Sequence, residues 1–180
     1  MNGFTRCRWP IRAGILGLAL LASACGATKE REALVCPKIV SAPDAARVAL
    51  FAPGGNTARD VTVLARIESA DNQCTREGEH GIKIGTEVNF RADRSRPTIQ
   101  NASVPYFIAV VDAQRNVVAQ ESFQLPIKFL PAESYRVLPA EKITTHLPLR
   151  TTTAGAAFTL IVGFQLTPEQ LAFNRSQHTQ

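Results

Sequence analysis

Residues able to do chemistry are few and scattered along this 180-residue chain. Nucleophilic catalysis needs a serine or cysteine beside a base that a third group holds in place. No Gly-x-Ser-x-Gly elbow, no Gly-x-x-x-x-Gly-Lys phosphate loop and no His-Glu-x-x-His motif is present. The three histidines, His80, His146 and His178, form no ligand-spaced set with the cysteines, so no metal site is expected. His146, within Thr144-Thr-His-Leu147, falls on the strand face opposite Thr145 and Leu147, which predicts a surface or hydrogen-bonded histidine. His80, within Glu77-Gly-Glu-His-Gly81, reads as part of a solvated turn. Glu121 is the carboxylate of most interest, because the alternation Val117, Ala119, Glu121, Phe123, Leu125 puts it on the apolar side of its strand. Buried and unpaired, it would have a raised pKa and could serve as an acid or base; a strand edge, a bulge or an arginine partner would remove that capacity. Arg91, Arg94 and Arg96 crowd into Phe90-Arg-Ala-Asp-Arg-Ser-Arg-Pro97, where guanidinium forks suit phosphate or carboxylate groups. They form an anion-binding candidate, with a solvated turn around Asp93 as the alternative. No catalytic residue and no cofactor follows from these patterns.

The elements that must position these residues are strands. Val61, Val63, Ala65 and Ile67 alternate with Thr62, Leu64, Arg66 and Glu68; Ile82, Ile84, Thr86, Val88 and Phe90 likewise share one face. Residues 106–111 form an apolar run, Asp112-Ala-Gln-Arg-Asn116 supplies turn residues, and 117–129 resume the alternation, which predicts a β-hairpin. Pro126 places the second arm at an edge or bends it. Further strands are expected over 135–138, 142–149 and 158–166, with a weaker one over 47–51 before the Pro53-Gly-Gly-Asn56 turn. Seven or eight short strands at turn-length spacing predict an all-β fold, an antiparallel β-sandwich. Thr167-Pro-Glu-Gln170 carries a capping-box pattern, with proline at the first helical position, and predicts a short C-terminal helix over 168–174. The general look resembles immunoglobulin-like or fibronectin type III-like modules, without the buried tryptophan of antibody domains, since the one tryptophan is Trp9.

The first 24 residues have the layout of an export signal: Arg6, Arg8 and Arg12, then an apolar run over 13–22, then Ser23-Ala24-Cys25. That run is about half the roughly 20 residues a membrane-spanning helix requires. Leu21-Ala-Ser-Ala-Cys25 resembles the lipobox of bacterial lipoproteins, whose cysteine is lipidated on sulfur and becomes the new N-terminus. Ala22-Ser-Ala24 also fits an ordinary secretory cleavage site, and both readings cut before Cys25. The resemblance implies a membrane anchor at Cys25 on the periplasmic side, and Gly26 after the cysteine implies the outer membrane. Residues 25–35 then read as a tether of at most about 35 Å, 36–175 as a single domain, and 176–180 as a frayed tail.

Three of the 20 lysines and arginines lie in the signal, so 17 remain against 15 acids, a formal charge of +2. That small excess, the exported compartment and the lack of interleaved aromatic residues argue against a nucleic-acid partner. With Cys7 removed and Cys25 committed to the anchor, Cys36 and Cys74 remain as a pair in a space that permits disulfides, and they are expected to be bonded. The functional expectation is a non-enzymatic envelope lipoprotein that binds another envelope protein or assists assembly. A small-ligand or envelope-polymer binding lipoprotein is the alternative, and a periplasmic hydrolase a third.

Overall fold

The computed structural model describes residues 34–149 and 152–178; the expected export signal, Cys25 and nearly all of the expected tether lie outside these residues. Strands β1 (Lys38–Ser41), β2 (Arg47–Phe51), β3 (Val61–Arg76), β4 (Gly81–Arg94), β5 (Asn101–Val111), β6 (Val117–Lys128), β7 (Tyr135–Val137), β8 (Glu141–Pro148) and β9 (Thr159–Phe164) precede helix α1 (Pro168–His178). One sheet has the order β1-β9-β5-β6. In the other, β2-β3-β4 run side by side and β4 pairs on its far side with both β7 and β8. The two sheets face each other across a shared apolar core, as the alternating patterns predict.

The core forms because every second residue of β4 and β5 points inward and, apart from Thr86 and Arg94, these residues are apolar. Phe90 from one sheet meets Tyr106 and Phe164 from the other at ring separations of 5.0 and 5.7 Å, and Tyr106 stacks on Phe123 at 5.1 Å. Each large aromatic side chain removed from water in this way contributes about 2 kcal/mol or more.

Three features differ from the expected antiparallel sandwich. First, β1 is an additional strand and runs parallel to β9, with Lys38 opposite Thr159 and Ser41 opposite Val162. Its four residues are too few to display a period. Secondly, β3 continues to Arg76, well past the expected strand. A bulge between Ile67 and Ser69 resets its phase, so that Ala70, Asn72 and Cys74 pair with the inward residues Val88, Thr86 and Ile84. The alternation stops being apolar there, although the strand does not stop. Thirdly, α1 extends through His178 rather than ending near Asn174. Its capping box is formed: Thr167 N donates to Gln170 Oε1 at 2.9 Å, and Gln170 N donates to Thr167 Oγ1 at 3.3 Å. The added turn is tied by Arg175, whose Nε lies 2.9 Å from Asp44 Oδ2.

Cys36 and Cys74 are bonded, with Cα atoms 5.7 Å apart. The bond joins the stretch before β1 to the far half of β3 and so staples one sheet to the other. Asn72 Nδ2 donates to Pro37 O at 2.9 Å beside it. Gly155 permits the same region to close: a Cβ at that position would stand 2.0 Å from Val35 O.

Candidate functional site

The three arginines at 91, 94 and 96 do not form one site, because period two sends Arg91 and Arg94 to opposite faces and β4 ends before Arg96. Arg94 points inward and is 7% exposed. Its guanidinium donates to four backbone carbonyls: Nε to Glu133 O at 2.6 Å, Nη1 to Pro97 O at 3.0 Å and to Ile99 O at 2.6 Å, and Nη2 to Leu130 O at 2.9 Å. It stands 5.1 Å from the ring centroid of Phe129. Arg94 is thus the pin that holds the loops on either side of the β5–β6 hairpin, with four of its five N–H donors engaged. Arg91 points outward, with Nη2 3.1 Å from Asp93 Oδ1 and the guanidinium 4.2 Å from the Tyr135 ring centroid. Asp93 also accepts from Arg66. Arg96 is exposed and lies beyond β4, at the rim of a cavity of about 370 Å³ whose lining includes Leu50, Phe51, Ile99 and Ala102.

Glu121 has the inward phase the sequence assigns it, opposite the core residue Ile108, yet it is exposed. β6 is an edge strand, and the Glu121 side chain reaches solvent there although Ala119 and Phe123, in the same phase on either side of it, pack against the core. His146 is exposed on β8, as expected, and its Nδ1 is 2.8 Å from both carboxylate oxygens of Glu77. This exposed pair sits on the surface of one sheet while Glu121 belongs to the other, so the two do not combine. His80 contributes its backbone, accepting from Leu149 N at 2.7 Å. A depression of about 590 Å³ lies over Gly85, between Gln73 and Thr144, and is open to solvent. Two of its three charged lining residues pair with each other, Lys142 Nζ lying 3.7 Å from Glu87 Oε2, and the third is Asp71.

The strand edges differ more sharply from one another. The free edge of β2 is closed by α1: Gln170 Nε2 takes Ala49 O at 2.9 Å and Asn174 Nδ2 takes Arg47 O at 2.8 Å. Phe173 secures the helix by packing edge-on against Phe51 at 5.3 Å. β8 carries Lys142 and Pro148, two of the residue types that discourage edge pairing, and β1 is only four residues long. β6 has 12 residues and lacks such protection over its first half. Its register follows from Phe129 N donating to Gln100 O, which turns the odd-numbered residues of β6 toward β5 and the even-numbered ones outward. The backbones of Gln120, Ser122 and Gln124 therefore face the free edge. Pro126 lies on that side too, where its missing N–H costs nothing, and it ends the run. Across 117–124 the one charge is Glu121, and the neighbouring Val117 and Val118 are 58% and 49% exposed.

Sequence reasoning placed a hairpin here, with an edge or bend at Pro126, but not Gln120, Ser122 and Gln124 as an open edge. The proline was the only available signal, because the guarding of other edges depends on where a helix 40 residues later comes to rest. No protein-family model, curated protein or solved structure matches the chain.

Proposed function

We propose that this protein is a non-enzymatic, exported interaction module that captures an extended segment of a partner protein along β6. The carrying observation is the contrast between edges: β2 is closed by two amide side chains of α1, whereas Gln120, Ser122 and Gln124 present their backbone donors and acceptors outward. A partner strand added there gains main-chain hydrogen bonds, and the exposed valines at 117 and 118 supply apolar contact. A lipid at Cys25, implied by the lipobox-like Leu21-Ala-Ser-Ala-Cys25, would hold the module at a membrane surface on the periplasmic side, with the outer membrane as the expected address. The Cys36–Cys74 bond suits an oxidising compartment, and among the described residues no helix is long and apolar enough to cross a membrane. The non-enzymatic reading is supported by His146 and Glu77, an acid–base pair that lies exposed on a strand surface instead of at the floor of a cleft. An immunoglobulin-like or fibronectin type III-like type is supported by the two packed sheets and opposed by the consecutive β2-β3-β4 arrangement.

The test is capture of partners from detergent-solubilised envelopes by the full-length protein, with mass spectrometry of its N-terminus in the same run. A Gln120→Lys/Ser122→Lys variant, charged along the open edge, should lose the captured partner while keeping its melting temperature. Equal recovery by this variant would remove the edge from the proposal, and an unmodified Cys25 would remove the anchor.

A further inference from the structure

The outward face of the five-stranded sheet carries an arrangement that no single stretch of sequence reveals. Arg47 on β2 is in register with Arg66 on β3, and Arg66 is in register with Arg91 on β4. Three arginines therefore stand side by side across three neighbouring strands, within about 10 Å at ordinary strand spacing. Like charges placed directly opposite destabilise a sheet. Two carboxylates lie close by: Asp93, held between Arg66 and Arg91, and Glu68, 3.7 Å from Arg66 Nε.

Comparison with Arg94 gives the row its meaning. Arg94 is buried and makes four hydrogen bonds, whereas Arg66 and Arg91 make one each, both to the same carboxylate, and leave side chains 42% and 33% exposed. Neither Nε has a hydrogen-bond partner. Asp93 shows that an oxyanion fits between these two guanidiniums, and it is bound through one nitrogen of each. Both Nε atoms are buried, so the Nη protons not taken by Asp93 are what remains for a second acceptor. The face of Tyr135 under Arg91 fixes that side chain, and Val137, in register with Arg91 and 62% exposed, adds an apolar margin.

We infer that Arg66 and Arg91, within this row, form a binding site for a phosphate group. The planar carboxylate of Asp93 already bridges the two guanidiniums, and a tetrahedral oxyanion seated beside it can turn one oxygen to each of them. The group could be carried by a lipid headgroup or by a soluble phosphate, and the site lies on the other sheet from β6, so it stands apart from the partner edge.

The experiment is calorimetric titration of the full-length protein in a non-ionic detergent with two probes, inorganic pyrophosphate and dihexanoyl phosphatidic acid. Arg66→Gln and Arg91→Gln are compared with Arg96→Gln, which removes an equal charge outside the row, and thermal melts verify that each variant is folded. Saturable binding that weakens with salt and falls about fivefold or more in the two row variants, but less than twofold in Arg96→Gln, is expected for a direct guanidinium contact. Tighter binding of the lipid probe assigns a headgroup, and equal or tighter binding of pyrophosphate assigns a soluble phosphate. No saturable binding of either probe, or equal losses in all three variants, would overturn the inference.

Discussion

Arg94→Met is the substitution whose effect can be worked out most fully. Methionine keeps much of the aliphatic stem and its packing on Phe129, but removes every donor. Four carbonyls, those of Glu133, Pro97, Ile99 and Leu130, then lose their partner. An acceptor left short costs about 1 kcal/mol at the low end of the usual range, which applies here because both loops lie near solvent and water can enter, so the gross loss is roughly 4 kcal/mol. Relief from burying a cation offsets part of it, and a net loss of about 3 kcal/mol is expected. For a domain of this size that lowers the melting temperature by about 10 °C. Urea unfolding with the disulfide intact measures the free energy, and hydrogen exchange should show opening confined to 95–100 and 129–134. Arg94→Lys should fall between, since an ammonium on a flexible stem does not reproduce a fork that reaches four acceptors. If Arg94→Met unfolds within 0.5 kcal/mol of the parent, or no lower than Arg96→Met, the pin is not what holds the loops.

Other outcomes follow from the same structure. Removing the disulfide in a Cys36→Ala/Cys74→Ala variant should cost about 4 kcal/mol in chain-entropy terms, read from the unfolding free energy extrapolated to zero urea, with a steeper slope as the unfolded chain expands. Asn174→Ala loses its bonds to both Asp44 O and Arg47 O, so a loss of about 2 kcal/mol is expected, together with self-association detectable by light scattering once the β2 edge opens. Burial, and secondarily the charge of Glu141, pushes the Tyr106 hydroxyl up to about 12. Its folded value lies above its unfolded value near 10, so its contribution to stability is whole below about pH 10 and is lost as the pH rises through 12. Tyrosinate absorbance of the native protein should show this late ionisation, and Tyr106→Phe should abolish it. Asp112 accepts from the backbone of Gln114 and Asn116 and from the Asn116 side chain, which holds its carboxyl below the usual range. Its stabilising effect on the hairpin is present above about pH 4 and is lost as the pH falls through the lowered value, so Asp112→Asn should flatten acid unfolding.

Much of the fold was legible because inward and outward residues alternate wherever both strand faces have distinct surroundings. β4 is the clearest case: its inward residues from Ile82 to Arg94 are buried throughout. The alternation failed where geometry changed phase, at the β3 bulge, and where a strand was too short to repeat, at β1. The candidate site was less legible. Arg94 and Arg91 are three residues apart and look alike in sequence, yet an odd separation on a strand sends one into the core and the other to the surface. Glu121 has the phase of a buried residue, but it stands on an edge strand and its side chain reaches solvent.

From its residues alone the chain determined most of the segments that become strands, that α1 is capped by Thr167 and Gln170, and that Cys36 and Cys74 are the pair to be joined. These are local or elimination arguments, in which neighbours a few residues apart decide the outcome. Only the tertiary structure decided which edges are covered, which arginines share a row and which carboxylate stays wet. Those properties depend on register and packing between segments 20 to 130 residues apart, and a small shift in pairing would exchange one face for the other.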